Sequence, residues 1–562
     1  MYFGMKYFRV SQSPFNSSML RFSRGCGAVH PFRSICLIWA RFVTVVFIGV
    51  LCFIAAPTTH MAYAGEPAKQ DVSSATSTIG ISSADLDADE LSAALDSYLS
   101  RNVDCTHEPG VAVAVVTSQG VAYMRMFGTC ESAGDAFYIG SLSKSMCAVA
   151  IMQLVEQGKI DLDAPASDYA PEYLISPEVS VRMLLNQTSG FGYYESLNEA
   201  TVGDSFGEFS YANANYDLLG RIVEHVSGES YSAYMAKHVF APLNMVDSSA
   251  QGLRTNDVLG EYDSNTFGGI NDDDPDDAAT YSDSRNVLGH RNYFGRYIQD
   301  DFQHAENDDA WGGPSSGYVS SSIRDMANYL QMYLGGGKNV LDYDSVMQMF
   351  MSRVPDPDGD SYYGMGWTSY DDDGELVFCH DGDVETNVAS MAILPDRDIG
   401  VVVLGDGYDS VAGNSLFFNL ANGVLDVAMG NNAVDLDEAE YDEAHAEANA
   451  EWVHFWLICA LPLLFVPVWC WVARLLMRKT GETVVLAAAI ADIALFACVF
   501  IWAIDFPRNM GTPWRDVSTF DPSIALGLYI GFGLFVAAAV ARVIAAIVIA
   551  RGSRKRQSHA PE

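Results

Sequence analysis

Basic residues are scarce in this sequence: 32 Lys and Arg stand against 71 Asp and Glu among 562 residues, a formal net charge of -39. That balance excludes nucleic acid as a partner, because binding a polyanion requires protein cations that replace its condensed counterions. Cysteine is sparse where a metal site would need it. Of 10 in the chain, only Cys105, Cys130, Cys147 and Cys379 lie between residues 65 and 451. No C-x-x-C pair or Cys/His cluster has zinc-ligand spacing. The acidic runs NDDDPDD (271–277) and PDPDGD (355–360) lack the spaced ligands and closing Glu of an EF-hand loop. Neither a metal nor a cofactor is expected. The βαβα alternation of a doubly wound fold is also missing.

What is present is strongly segregated. Residues 1–64 hold 6 basic and no acidic residues, and residues 452–562 hold 10 basic and 6 acidic ones, so the acidity is concentrated in residues 65–451. Arg33 and Arg41 precede the apolar run FVTVVFIGVLCFIAA (42–56), and Ala62-Tyr63-Ala64 has the small-x-small form of a signal-peptidase site. Residues 1–64 therefore read as a secretory signal peptide, and the Ser/Thr/Ala-rich stretch 65–81 as a flexible leader. Three apolar runs, 452–473, 484–504 and 523–550, are each long enough to cross the ~30 Å hydrocarbon core of a bilayer. Arg474, Arg478 and Lys479 follow the first, and Arg551, Arg554, Lys555 and Arg556 follow the third. The positive-inside rule places both clusters in the cytoplasm. The acidic domain is then extracytoplasmic, on a bacterial-type, multi-pass membrane protein whose bilayer contact is the module 452–562. Asp492 and Arg542 fall within these runs, where a charge is either paired, snorkelling or functional.

The acidic segment reads as one domain over 82–430, followed by an acidic linker over 431–451. Leu86, Leu91, Leu95 and Leu99 sit near helical spacing in an opening helix. GVAVAVVTSQGVAYMRMFG (110–128) is two β-rich runs about a Ser-Gln-Gly turn, and LVFCHDGDVETNVASMAILPDRDIGVVVLGD (376–406) is a second β section. Between them lie mainly helical patterns. Strands at both ends with helices between predict an α+β domain: an antiparallel sheet formed by the two ends of the domain, flanked by helices, with an all-helical region. Cys105 and Cys130 lie nearly symmetrically about the hairpin turn, and in an exported chain a disulfide between them is expected.

Two serine motifs compete for chemistry. In FYIGSLSKSM (137–146) Ser141 precedes Lys144 by three positions, at the start of an almost wholly apolar helical stretch ended by Gly158. A lysine buried one turn below the serine would lose the preference for its charged form and could accept the serine proton. The alternative is a helix cap followed by a solvated lysine. GPSSG (313–317) matches the G-x-S-x-G elbow, but AENDDAWG ahead of it is too polar for the buried strand that elbow requires.

GVAVAVV, FYIGSLSK, VSVRMLLNQTSGF, FSYANANYDLLGRIVE, APLNM, GGPSSGYVSSSIRDMANYL, YGMGW and the CHDG segment occur in one order over Glu108–Leu404. In this the chain resembles the serine β-lactamase and penicillin-binding family, in its class C β-lactamase, D-alanyl-D-alanine peptidase and esterase-like branch. The resemblance implies Ser141 as nucleophile and Lys144 as its base. It also implies Tyr211 as a phenol that moves the serine proton and Asn213 as the amide that holds substrate and lysine. His380-Asp381-Gly382 replaces the usual K-T-G, so His380 is implied to donate to the substrate or to polarise Tyr211. Gly382 and Asp383 then line the substrate and oxyanion site, with the backbone N–H groups of Ser141 and Asp383 as donors. A histidine is not a permanent cation, which argues against a dedicated β-lactamase. Gln187 stands where relatives carry histidine, and Asn387 where a glycine is common, a change that a positive φ would tolerate. The implied activity is acyl transfer to water from an amide or ester, the partner being a small-molecule or peptide substrate such as a cell-wall peptide. The alternative is a penicillin-binding-like sensor that signals through its membrane helices.

Overall fold

The computed structural model describes residues 88–250, 253–254, 289–480 apart from 301, 303, 305, 306, 358 and 373, a few positions between 490 and 501, and 513–557. The signal peptide, the leader and the run NDDDPDD lie outside these residues, and the middle apolar run 484–504 does so largely. The chain divides into two compact units: the first holds the described residues up to His445 together with Ser518–Pro522, and the second holds 446–517 and 523 onward.

The first unit is built on an eight-stranded antiparallel sheet. Its strands are β1 (Gly110–Thr117), β2 (Gly120–Gly128), β5 (Val354–Pro355), β6 (Tyr362–Gly364), β7 (Trp367–Asp372), β8 (Glu375–Val384), β9 (Asn387–Leu394) and β10 (Ile399–Gly405). They lie in the order β2-β1-β10-β9-β8-β7-β6-β5. The ends of the domain do close the sheet, since β1 pairs with β10 from Val111↔Gly405 to Val116↔Gly400. Two further short strands, β3 (Ala136–Tyr138) and β4 (Val319–Ser322), pair with each other in a small sheet beside the nucleophile segment.

Alternation along β1 explains the layering, because successive side chains point to opposite faces. Ala112, Ala114 and Val116 face one core with α2 (Ser143–Glu156), α3 (Asn213–Ser227) and α4 (Ile323–Leu334). Val111, Val113 and Val115 face the other, with α1 (Ala88–Asn102) and α5 (Gly413–Ala428). A strand buried on both faces must be apolar throughout, as GVAVAVV is. Helix α2 is buried over Ser143–Leu154 and ends before Gly158, whose φ of +67° is the left-handed stop the sequence offers. Each large apolar side chain fully buried here stabilises the fold by roughly 1.5–3 kcal/mol.

Two expectations are corrected here. The Cys105–Cys130 disulfide is absent, and both thiols are free and buried. Cys130 belongs to the core that contains α2, whereas Cys105 lies in the turn Asp104–Thr106 after α1 and donates to Arg101 O at 3.4 Å. Symmetry about a hairpin turn sets strand register; it does not bring together residues that leave the hairpin toward different layers. The acidic linker is also folded onto the domain as far as His445. Asp435 accepts from Arg101 and Asn102, and His445 Nε2 lies 2.8 Å from the buried Asp409 Oδ2.

Among the described residues, Glu440–Leu475 and Pro522–Gly552, most of whose residues belong to the second unit, are the two stretches long and apolar enough to cross a membrane. The described residues thus include two of the three expected runs. The latter stretch lies in helix α7 (Pro522–Gln557).

Candidate active site

Ser141 is not an N-cap. It lies in the single 3₁₀ turn Gly140–Leu142 that precedes α2, and no side chain caps either element. Gly140 adopts φ +55°, and a Cβ there would stand 2.5 Å from Asp383 N. A Cβ on Gly382 would stand 2.3 Å from Ile139 O and 2.9 Å from Ser141 N. The two glycines therefore let the nucleophile turn and the strand β8 approach backbone to backbone. The approach is possible because β7 pairs with β8 only as far as Thr368↔Cys379, so residues 380–384 face the turn as a free edge on that side. The amides of Ser141 and Asp383 are thereby brought into one small region.

Lys144 is fully buried. Its Nζ lies 3.0 Å from Ser141 Oγ, 2.7 Å from Asn213 Oδ1 and 2.5 Å from Ser316 O. It also sits 4.7 Å from the centre of the Tyr211 ring. The solvated-lysine alternative is thus overturned, and Ser141, Lys144, Tyr211 and Asn213 form one cluster. Asn213 opens α3, and Tyr211-Ala212 runs into it in extended form. Gln187, at φ 60°, splints this segment: its Oε1 accepts from Ala212 N at 3.0 Å and Asn215 Nδ2 at 2.5 Å. The left-handed residue is therefore Gln187, while Asn387 sits in regular pairing opposite Val384.

The β8 edge behaves differently. His380 is buried, and burial, reinforced by the Lys144 charge, pushes it down to about 3, so the imidazole is neutral. Its Nδ1 lies 2.6 Å from Asp381 O. A carbonyl only accepts, so Nδ1 carries the proton and donates, leaving Nε2 as an acceptor 3.4 Å from the Tyr363 hydroxyl. The implied donor role of His380 is corrected accordingly: its one N–H is already engaged. Burial raises Asp381 and Asp383 to about 6 each; for Asp383 the Lys144 charge opposes that rise.

Sequence reasoning missed three contributors. Ser316, in the rejected elbow motif, supplies a backbone carbonyl to Lys144. Ser315, the serine of that motif, is buried against Gly220, whose Cβ position is 2.4 Å from its Oγ. Asp217, one turn beyond Asn213, is raised by burial to about 7 against the opposing effects of Ser316 and Lys144. It lines a small cavity of about 40 Å³ with Leu197, Arg221 and Asp308, next to the cluster and lined by none of Ser141, Lys144, Tyr211 or Asn213. The Tyr363 ring lies edge-on to that of Tyr211, with centroids 5.9 Å apart. YGMGW and GGPSSG carried part of this signal, but not the direction in which a carbonyl points. Among the described residues no group of His, Cys, Asp and Glu could hold a metal ion.

The chain is similar to several known proteins. Protein flp of Staphylococcus aureus (strain MW2) is 24% identical over 349 residues, which are 56% of this chain and 62% of that protein. The chain thus spans about three fifths of the length of this curated relative. The putative penicillin-binding protein PbpX of Bacillus subtilis is 32% identical over 145 residues, 23% of this chain and 37% of that protein. Among solved structures, the octameric penicillin-binding protein homologue from Pyrococcus abyssi aligns with a TM-score of 0.48 and 24% identity, over 63% of this chain and 80% of that one. The family profile described as Beta-lactamase matches residues 95–415, more than half of the chain, and the protein belongs to that family.

Proposed function

We propose that this protein is a membrane-anchored, extracytoplasmic serine hydrolase that cleaves an amide or ester through an acyl-enzyme on Ser141. The observation that carries this reading is the environment of Lys144 Nζ. Two of its three close neighbours, Asn213 Oδ1 and Ser316 O, are pure acceptors. A neutral amine has two hydrogens, which those acceptors take, so its lone pair is left facing Ser141 Oγ. Oγ then attacks the substrate carbonyl while its proton passes to Lys144, with the Tyr211 ring directly beside the exchange. The amides of Ser141 and Asp383 receive the developing oxyanion, each such donor being worth ~3 kcal/mol. The stored proton goes to the leaving amine or alcohol, and water, deprotonated by the same Lys144–Tyr211 pair, releases the acid.

The β8 edge narrows the substrate. With His380 neutral, Asp383 beside the oxyanion region and the Lys144 nitrogen engaged by Asn213 and Ser316, the described side chains of the cluster offer no cation to the substrate. A substrate carboxylate finds no counter-charge, so neutral esters and amides fit better than β-lactams or peptides ending in D-alanine. The test is turnover by the full chain in detergent micelles with p-nitrophenyl esters, acyl anilides, a chromogenic cephalosporin and a D-Ala-D-Ala peptide. Hydrolysis of a neutral ester or amide, abolished in Ser141→Ala, is the expected result. A stable adduct on Ser141 without product release from any substrate would instead support a sensor.

A further inference from the structure

We propose that residues Ser518–Pro522, immediately ahead of α7, form the outer wall of the substrate cleft, and that Phe520 selects a bulky apolar acyl group bearing no negative charge. This rests on the acyl-enzyme reading of Ser141. The segment belongs to the first compact unit although it lies more than 70 residues beyond His445 in the chain.

An unbroken row of aromatic rings leads from the reacting centre to this segment. The ring of Tyr193 lies 6.3 Å from that of Tyr211 and 5.5 Å from Trp311. Trp311 is in turn 5.7 Å from Phe520 at an interplanar angle of 78°, and Phe520 is 5.4 Å from Tyr408. The Trp311 indole N–H donates to Tyr193 O at 2.7 Å, which fixes its ring. Its neighbour Gly312 touches the catalytic cluster, since a Cβ there would stand 3.1 Å from Asn213 Nδ2. Tyr193, Trp311 and Phe520 are all half-buried, so each keeps part of its side chain exposed.

The segment is docked at both ends. Arg291 Nη1 donates to Thr519 O at 3.0 Å, and the Ser410 hydroxyl donates to Asp521. Asp521 also feels the opposite wall: burial, then the charges of Asp409 and Asp383, raise it to about 6. Phe520 therefore meets the Trp311 side of the cleft while Asp521 lies within electrostatic reach of Asp383. An aromatic strip edged by two carboxylates favours apolar groups and penalises anionic ones. The charge pattern of the sequence leads to the same expectation, because it places the loop ahead of the last apolar run on the side of the acidic domain.

The experiment uses the full chain in detergent micelles and compares kcat/KM for p-nitrophenyl 4-phenylbutyrate with that for p-nitrophenyl acetate. Removing one apolar contact in a pocket changes discrimination by about tenfold or more, so Phe520→Ala should lower the phenylbutyrate-to-acetate ratio about tenfold. Phe520→Leu, which keeps an apolar side chain, should retain most of it. An unchanged ratio in Phe520→Ala, or equal losses on both esters that Phe520→Leu does not relieve, would overturn the assignment. The two failures are distinguishable. Hydrolysis lost in Ser141→Ala but with a ratio indifferent to Phe520 sinks this inference alone. Acetate hydrolysis that is absent, or that survives Ser141→Ala, sinks the acyl-enzyme reading and this inference with it.

Discussion

The two walls of the candidate site differ in how their polar groups are satisfied. Around Ser141, Lys144 is wholly enclosed and its nitrogen lies within hydrogen-bond distance of three oxygens, Ser141 Oγ, Asn213 Oδ1 and Ser316 O. Along β8, the titratable groups are His380, Asp381 and Asp383, each displaced by burial toward its neutral form. The first wall is arranged to move a proton, and the second holds a neutral imidazole beside carboxylates, with no cation of its own. Burial has opposite consequences because a buried ionisable group is tolerated only with a partner, and otherwise neutralises.

The sharpest way to break this division is to remove the proton-moving wall. Ser141→Ala and Lys144→Ala should each lower kcat about 10⁴-fold or more on any ester the protein turns over. Lys144→Arg should fail as badly, since a guanidinium does not deprotonate. Retained turnover in single-turnover assays would remove Ser141 from the mechanism. Next in size is the seam between the walls. Gly382→Ala puts a methyl 2.3 Å from Ile139 O and forces β8 away from the Ser141 amide. A loss of about 10²–10³ in kcat with little change in KM is expected for a displaced oxyanion donor.

Charge avoidance on β8 predicts a pH effect. His380 is held near 3 against an ordinary 6.5, so the unfolded chain binds its proton first as pH falls. Stability from this group is present above pH 6.5 and is lost progressively from there down toward 3. At pH 5 the loss is about 2 kcal/mol, which His380→Gln should remove from the pH dependence of the urea midpoint. Parallel curves for the two proteins would show that His380 is not the group responsible. The smallest effect expected is on selectivity. Asp383→Ser should raise kcat/KM several-fold for a p-nitrophenyl ester with a carboxylate on its acyl chain, relative to the acetate, a preference that should shrink in high salt.

Much of the architecture was legible because it depends on local pattern. The alternating apolar runs of 110–128 and 376–406 must bury two faces, which makes them neighbours in one sheet, and β1 does pair with β10. The S-x-x-K spacing, the apolar body of α2 and the Tyr211-Ala212-Asn213 segment likewise pointed to a cluster that the fold assembles. The Cys105–Cys130 pairing was misjudged because distance along a hairpin is not distance between layers. The donor role assigned to His380 failed because one carbonyl, Asp381 O, takes the proton.

Sequence alone determined the acidic domain, its α+β class and the apolar runs beyond it, which follow from hydrophobic periodicity and charge among neighbouring residues; the roles of Ser141, Lys144, Tyr211 and Asn213 came with the family resemblance. Only the tertiary structure decided which way Ser316 O points, which nitrogen of His380 holds the proton, and that Phe520 meets Trp311 edge to face across 209 positions of chain. Each of these is fixed by a through-space contact between distant segments, and no pattern along the chain encodes a direction in space.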